Sequence, residues 1–201
     1  MRIVVISPEG ADPREVPALG AMLEAGLERY HVRKPSWGAA QLEDWLLGLP
    51  AAWRGALVLH QHHGLARTLG LGGVHDRDAG PATPGAGSRS CHDLASLRLA
   101  MGSYPQVIFG PVFPSISKPG HGPAADFPWA GLAALLAGPR PAPCRVLAIG
   151  GITAERLGRC LEAGFDGAAV MGAVWGGADP ALAYRGIRDA AQRLEAARNA
   201  A

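Results

Sequence analysis

Cysteine is scarce in this 201-residue chain, limited to Cys91, Cys144 and Cys160 with no C-x-x-C pair. An odd count without metal-ligand spacing argues against a disulfide framework and a thiolate zinc site, and fits a cytoplasmic protein with reduced thiols. No apolar run approaches the ~20 residues that a membrane span requires. The run Arg2–Ser7 is short and is followed at once by proline and acidic residues, so it reads as a first strand rather than a signal peptide. Charge of one sign is also missing. Nineteen basic side chains stand against 17 acidic ones, for a formal net charge of +2, and there is no long basic run. Neither a nucleic-acid nor a membrane-surface partner is expected, and any basic site must be local.

What is present is a core. Hydrophobic residues make up 48% of the chain and charged residues 18%, which suits one packed domain over residues 1–201. With 28 glycines and 17 prolines, many tight turns between short elements follow. β-type runs are expected at Arg2–Ser7, Arg29–Arg33, Ala56–His60, Gly73–His75, Gly87–Cys91, Gln106–Phe109, Val146–Ile149 and Gly167–Met171. Several are almost wholly apolar, as strands buried on both faces of a parallel sheet are. Amphipathic segments lie between them: Val16–Ala25, Ala39–Leu47, Asp93–Met101, Ala130–Leu136, Thr153–Ala163 and the closing Pro180–Arg198. Eight strands in this length point to an α/β (β/α)8 barrel, with an open doubly wound sheet as the alternative. Arg77–Ala86 is rich in proline, glycine and alanine, so the fourth helix is expected to be shortened or missing.

The strongest local signal is Leu147-Ala148-Ile149-Gly150-Gly151-Ile152-Thr153, a buried strand ending in two glycines before a helix start. Thr153 is a candidate N-cap, with Glu155 in the first turn. Glycine lets the backbone approach a ligand so that N–H groups can meet an anion. The next unit repeats the pattern, with Gly167–Met171 running into Gly172 and then Trp175-Gly176-Gly177. The loops after strands seven and eight commonly hold a phosphate in barrel enzymes. Tight turns alone would also use these glycines; the pairing of the two loops favours phosphate.

Four segments together resemble the thiamine-phosphate synthase and thiazole tautomerase family. They are His31-Val32-Arg33-Lys34-Pro35, Ser90-Cys91-His92, Gly110-Pro111-Val112-Phe113-Pro114-Ser115-Ile116-Ser117-Lys118, and Ala148-Ile149-Gly150-Gly151-Ile152 with the glycine loop after Met171. The resemblance implies a transferase that joins hydroxymethylpyrimidine diphosphate to thiazole phosphate, releasing thiamine phosphate and diphosphate. It implies that Arg33, Lys34 and Lys118 neutralise the diphosphate, with hydrogen bonds from Ser115 and Ser117. Ser90 belongs to the same substrate-binding set, and Gly150, Gly151 and Gly172 would cradle the thiazole phosphate.

The chain departs from that pattern at the metal. Coupling enzymes of the family carry Asn-Asp after strand three to hold Mg2+, where His60-Gln61 stands here, leaving Asp76 and Asp78 as weak carboxylate candidates. The related tautomerases need no metal and use a histidine in the strand-six loop, where this chain has Pro111. Tautomerisation of thiazole carboxylate phosphate is therefore the second reaction, with His60 or His121 as a proton relay, and His92 is a further catalytic candidate. A non-catalytic binder of thiazole or thiamine phosphate is the third reading, and a homodimer is kept open. His62 and His63 are read as solvent-facing, Cys91 as a buried filler, and Trp129 and Trp175 as packing more than stacking residues.

Overall fold

A computed structural model describes residues 1–116, 120, 122–123, 127–140 and 143–200. Eight strands, all parallel, pair in chain order and close into a barrel: β1 (Arg2–Ile6), β2 (Tyr30–Val32), β3 (Leu57–Leu59), β4 (Gly73–Asp76), β5 (Ser88–Cys91), β6 (Gln106–Phe109), β7 (Arg145–Ile149) and β8 (Gly167–Val170). Closure is made by β8 against β1, with Arg2 opposite Gly167 and Val5 opposite Val170. Closure removes every sheet edge and selects the barrel over the open sheet.

Helices α1 (Glu15–Glu24), α2 (Ala39–Leu47), α3 (His63–Thr68), α4 (Leu94–Met101), α5 (Trp129–Ala137), α6 (Leu157–Glu162), α7 (Gly172–Trp175) and α8 (Pro180–Ala200) surround the strands. As expected, no helix joins β4 to β5. Asp93 caps α4, accepting from the amides of Ala95 and Ser96 at 2.9 and 2.8 Å. The segment after β7 differs from its expectation. It splits into a 3-10 turn, Ala154–Arg156, and the short α6, and Thr153 makes no side-chain cap bond. No helix of the described residues is long and apolar enough to cross a membrane.

Alternation with period two divides each strand between the barrel interior and the helix layer. The outward set, including Val5, Tyr30, Val32, Leu57, Leu59 and Val107, forms the large core under the helices. The inward set is divided. Val4, Ile6, Ile108, Leu147 and Ala169 fill the side built by β1, β6, β7 and β8. The side built by β2 to β5 is polar, with His31, His75 and Ser88 buried there.

Candidate active site

At the C-terminal end of the barrel, a cleft of about 310 Å³ is lined by the loops after β1, β2, β5, β6, β7 and β8. It brings together Arg33, His92, Ser115, Gly150, Gly151 and Gly172 from the expected site. Ser7 positions Arg33: its hydroxyl accepts from the Arg33 amide at 2.9 Å and donates to the Arg33 carbonyl at 3.1 Å. The Arg33 guanidinium pairs with Glu9 at 2.5 Å, and both side chains remain about a third exposed. Glu9 was missed from the sequence because no motif marks the loop after β1. His92 Nδ1 sits 2.5 Å from the Gly110 carbonyl oxygen, which fixes the ring beside the strand-six loop.

The β6 and β7 loops are clamped together by backbone. The Val112 amide donates to the Ile149 carbonyl at 2.8 Å, and the Phe113 amide to the Gly150 carbonyl at 3.2 Å. This contact explains the glycines. A Cβ on Gly110 would lie 2.1 Å from the Ile149 oxygen, one on Gly150 2.6 Å from Pro111 Cβ, and one on Gly151 2.2 Å from the Pro114 oxygen. Gly150 and Gly151 also have φ of 97° and 61°, a region that side chains disfavour. The tight-turn requirement and the open approach to the cleft therefore coexist at the same two residues.

Lys34 requires a correction. Strand alternation turns it away from the mouth, and its ammonium is fully buried, 2.5 Å from Glu15 Oε2 and 2.8 Å from the carbonyls of Pro8 and Gly10. It also lies 4.9 Å from the centre of the Trp37 ring. Glu15 in turn accepts from Tyr30 Oη at 2.7 Å. With its three donors engaged in the wall between β2 and α1, Lys34 does not face the cleft, whereas Arg33 lines it. Trp175 is a packing residue, donating its indole N–H to the Ile6 carbonyl at 2.8 Å. Trp129 packs against Phe113 and Phe127. Cys91 is buried, and burial pushes its thiol up to about 11. Ser117, Lys118 and His121 lie outside the described residues.

His60 and Ser90 line the barrel interior instead of the cleft. His60 Nε2 is 3.0 Å from His31 Nδ1, and its ring stacks on His75 at a centroid distance of 4.2 Å. The Ser90 hydroxyl is bonded to His75 Nε2, and the Ser88 hydroxyl to His75 Nδ1, each at 2.8 Å. Burial holds the imidazoles of His31 and His60 well below the usual value, helped by neighbouring imidazoles. Burial takes His75 down to about 3, against the opposing pull of Asp76. All three are neutral near pH 7, so His60 is a poor proton donor there. His31 was not singled out from the sequence as a site residue, although its alternation with Tyr30 and Val32 marks it as inward.

The Mg2+ implied by the resemblance finds little among these side chains. Asp76 faces the helix layer, accepting from the Thr83 amide at 2.9 Å and from Tyr104 Oη at 3.0 Å. Asp78 accepts from the His92 amide at 3.1 Å, and the Gln61 side-chain amide donates to the Lys34 carbonyl. Mg2+ prefers an octahedron of hard oxygens, and among the described residues the group of possible ligands that converges is three imidazoles in the barrel interior.

Comparison with known proteins agrees with this geometry. The family model for thiamine monophosphate synthase matches residues 3–174. The thiamine-phosphate synthase of Chromobacterium violaceum is 35% identical over 92% of this chain and 93% of its own length. That of Anaeromyxobacter dehalogenans is 35% identical over 95% and 88%. In fold, the thiamine phosphate pyrophosphorylase of Bacteroides thetaiotaomicron superimposes with a TM-score of 0.79 at 23% identity, covering 96% of this chain and 98% of its own. The chain belongs to the thiamine monophosphate synthase family.

Proposed function

We propose that this protein is a thiamine-biosynthesis transferase that joins hydroxymethylpyrimidine diphosphate to thiazole phosphate, giving thiamine phosphate and diphosphate. In the step, the pyrimidine methylene carbon–oxygen bond breaks and its electron pair leaves with diphosphate. The thiazole nitrogen lone pair then forms the new carbon–nitrogen bond. The observation that carries this reading is one cleft that gathers a guanidinium, a hydroxyl and glycine backbones able to meet anions. Arg33, Ser115 and the glycine backbones at Gly150, Gly151 and Gly172 all line it. Cationic and hydrogen-bonding groups aimed at the departing diphosphate stabilise the charge that develops on it. Lys118 and Ser117, by family resemblance, complete the leaving-group contacts.

The apolar part of the cleft wall, including Ile6, Ile149, Val170 and Met171, would exclude water from the cationic pyrimidine carbon until the thiazole captures it. The test is incubation with both substrates, with and without Mg2+, while thiamine phosphate and diphosphate are quantified. Formation of the two products in equal amounts is expected.

A second reading is favoured by one observation, the placement of His92 in the cleft beside the strand-six loop. An imidazole there could move the proton that aromatises thiazole carboxylate phosphate. Aromatisation followed by absorbance, in a preparation that makes no thiamine phosphate, would select that reaction. Saturable thiazole phosphate binding with neither product would select the carrier reading. The homodimer and the cytoplasmic location belong to the same proposal.

A further inference from the structure

Three imidazoles from three adjacent strands meet inside the barrel, away from the glycine loops: His31 on β2, His60 at the end of β3 and His75 on β4. The β3–β4 register pairs Val58 with Gly73, and its extension sets His60 beside His75. The β2–β3 register pairs His31 with Val58, one tier below. One ligand atom from each of the three lies within 4.8 Å of the others. His31 is 1% exposed and its Nε2 has no hydrogen-bond partner. Isolated apolar packing would not select three polar rings, each with a lone pair, at one place.

We propose that His31, His60 and His75 form a binding site for one borderline divalent transition ion of the Zn2+ class. Three imidazole nitrogens with a fourth position left for water or substrate is the arrangement of catalytic zinc centres, whereas structural zinc is closed by four protein ligands. Zinc–nitrogen bonds of about 2.0–2.1 Å put neighbouring tetrahedral nitrogens roughly 3.3 Å apart. His31 Nδ1 and His60 Nε2 already stand 3.0 Å apart, so an ion between them needs a small side-chain opening. His75, stacked on His60 at an interplanar angle of 27° and held by two serines, must rotate out of the stack to aim a nitrogen at the same ion. Loading needs no net loss of protons from these rings. Each neutral imidazole keeps one proton, and the ring that carries the shared proton moves it to its other nitrogen. His75 can give one nitrogen to the ion while the other stays on a serine hydroxyl, and a fixed second nitrogen is what orients metal-bound histidines.

The site is distinct from the anion cleft and is tested without the coupling reaction, so failure of either proposal leaves the other standing. Chelator-treated protein is titrated with Zn2+ by calorimetry and with Co2+ by visible absorption. One ion per chain is expected, with Co2+ bands of low-coordinate, nitrogen-ligated type. His31→Gln and His60→Asn keep polar side chains of similar size and should each weaken Zn2+ by more than about 100-fold. Of Ser88→Ala and Ser90→Ala, the one that removes the hydroxyl on the non-ligating nitrogen of His75 should weaken it by about 10- to 100-fold. His62→Ala, at the surface, should leave affinity unchanged.

Absence of stoichiometric binding overturns the proposal. So does Zn2+ affinity that survives in both His31→Gln and His60→Asn. If those variants do not fold, the wild-type Co2+ spectrum decides alone: octahedral, oxygen-type bands reject the triad.

Discussion

The Lys34 ammonium lies 2.5 Å from the Glu15 carboxylate with both side chains almost wholly withdrawn from water, one residue from an arginine that opens onto the cleft. Neighbouring cations in one short motif thus take different places, one buried in the wall and one lining the cleft. Lys34 ties β2 to α1, and Arg33 lines the cleft. Burial raises the Glu15 carboxyl, while Lys34 and Tyr30 pull it back. Removing one partner of a buried pair leaves the other charge uncompensated.

Lys34→Ala should therefore cost about 3–5 kcal/mol of unfolding free energy. The double change Lys34→Met with Glu15→Gln should recover part of that loss. Urea denaturation measures both, and a single variant within ~0.5 kcal/mol of wild type would contradict the pairing. Arg33→Ala should show the reverse profile, with stability little changed and affinity for the pyrimidine diphosphate reduced.

Glu9 places a carboxylate against Arg33 at the mouth of the cleft, where the proposed reaction would bring a diphosphate. The pair is partly exposed, and such pairs contribute about 0.2–1 kcal/mol. Glu9→Gln should accordingly lower KM for the diphosphate substrate by a few-fold, to about fivefold at most, with kcat nearly constant. A KM that rises would mean that Glu9 orients Arg33 productively.

At the clamp between the β6 and β7 loops, Gly150→Ala forces a Cβ into Pro111 at a backbone φ of 97°. Both strain and clash oppose it, so a loss of roughly 1–3 kcal/mol is expected. Thiazole phosphate affinity should fall together with stability, since the same backbone faces the cleft. Gly177→Ala, where a Cβ meets nothing within 4 Å, serves as the control. Equal behaviour of the two variants in calorimetry would count against the clamp.

Acid should destabilise the metal-free protein through the imidazole triad. The folded values of His31, His60 and His75 lie below the unfolded value of 6.5. Between those values the unfolded chain binds more protons, so stability rises with pH and is lost as pH falls below about 6.5. For His75, which titrates at about 3 when folded, the loss at about pH 5 is roughly 2 kcal/mol. Replacing His75 by Gln should flatten the pH dependence of the urea midpoint between about pH 6.5 and 5. An unaltered slope would show that His75 is not buried neutral.

The order of strands and helices, the missing helix between β4 and β5 and the paired glycine loops were legible in the sequence. They arise from local causes: residue period, turn-forming side chains and backbone freedom at glycine. So was the resemblance carried by Gly110–Lys118, because a loop that grips a charged ligand needs particular residue types in order. Tertiary structure alone decided that Arg33 and Lys34 part company, since alternation separates neighbours but does not say which one faces the mouth. It alone gathered His31, His60 and His75, residues 29 and 15 positions apart in sequence. Their meeting depends on the register between three strands, and register is set by closure of the whole barrel, a constraint that no short segment contains.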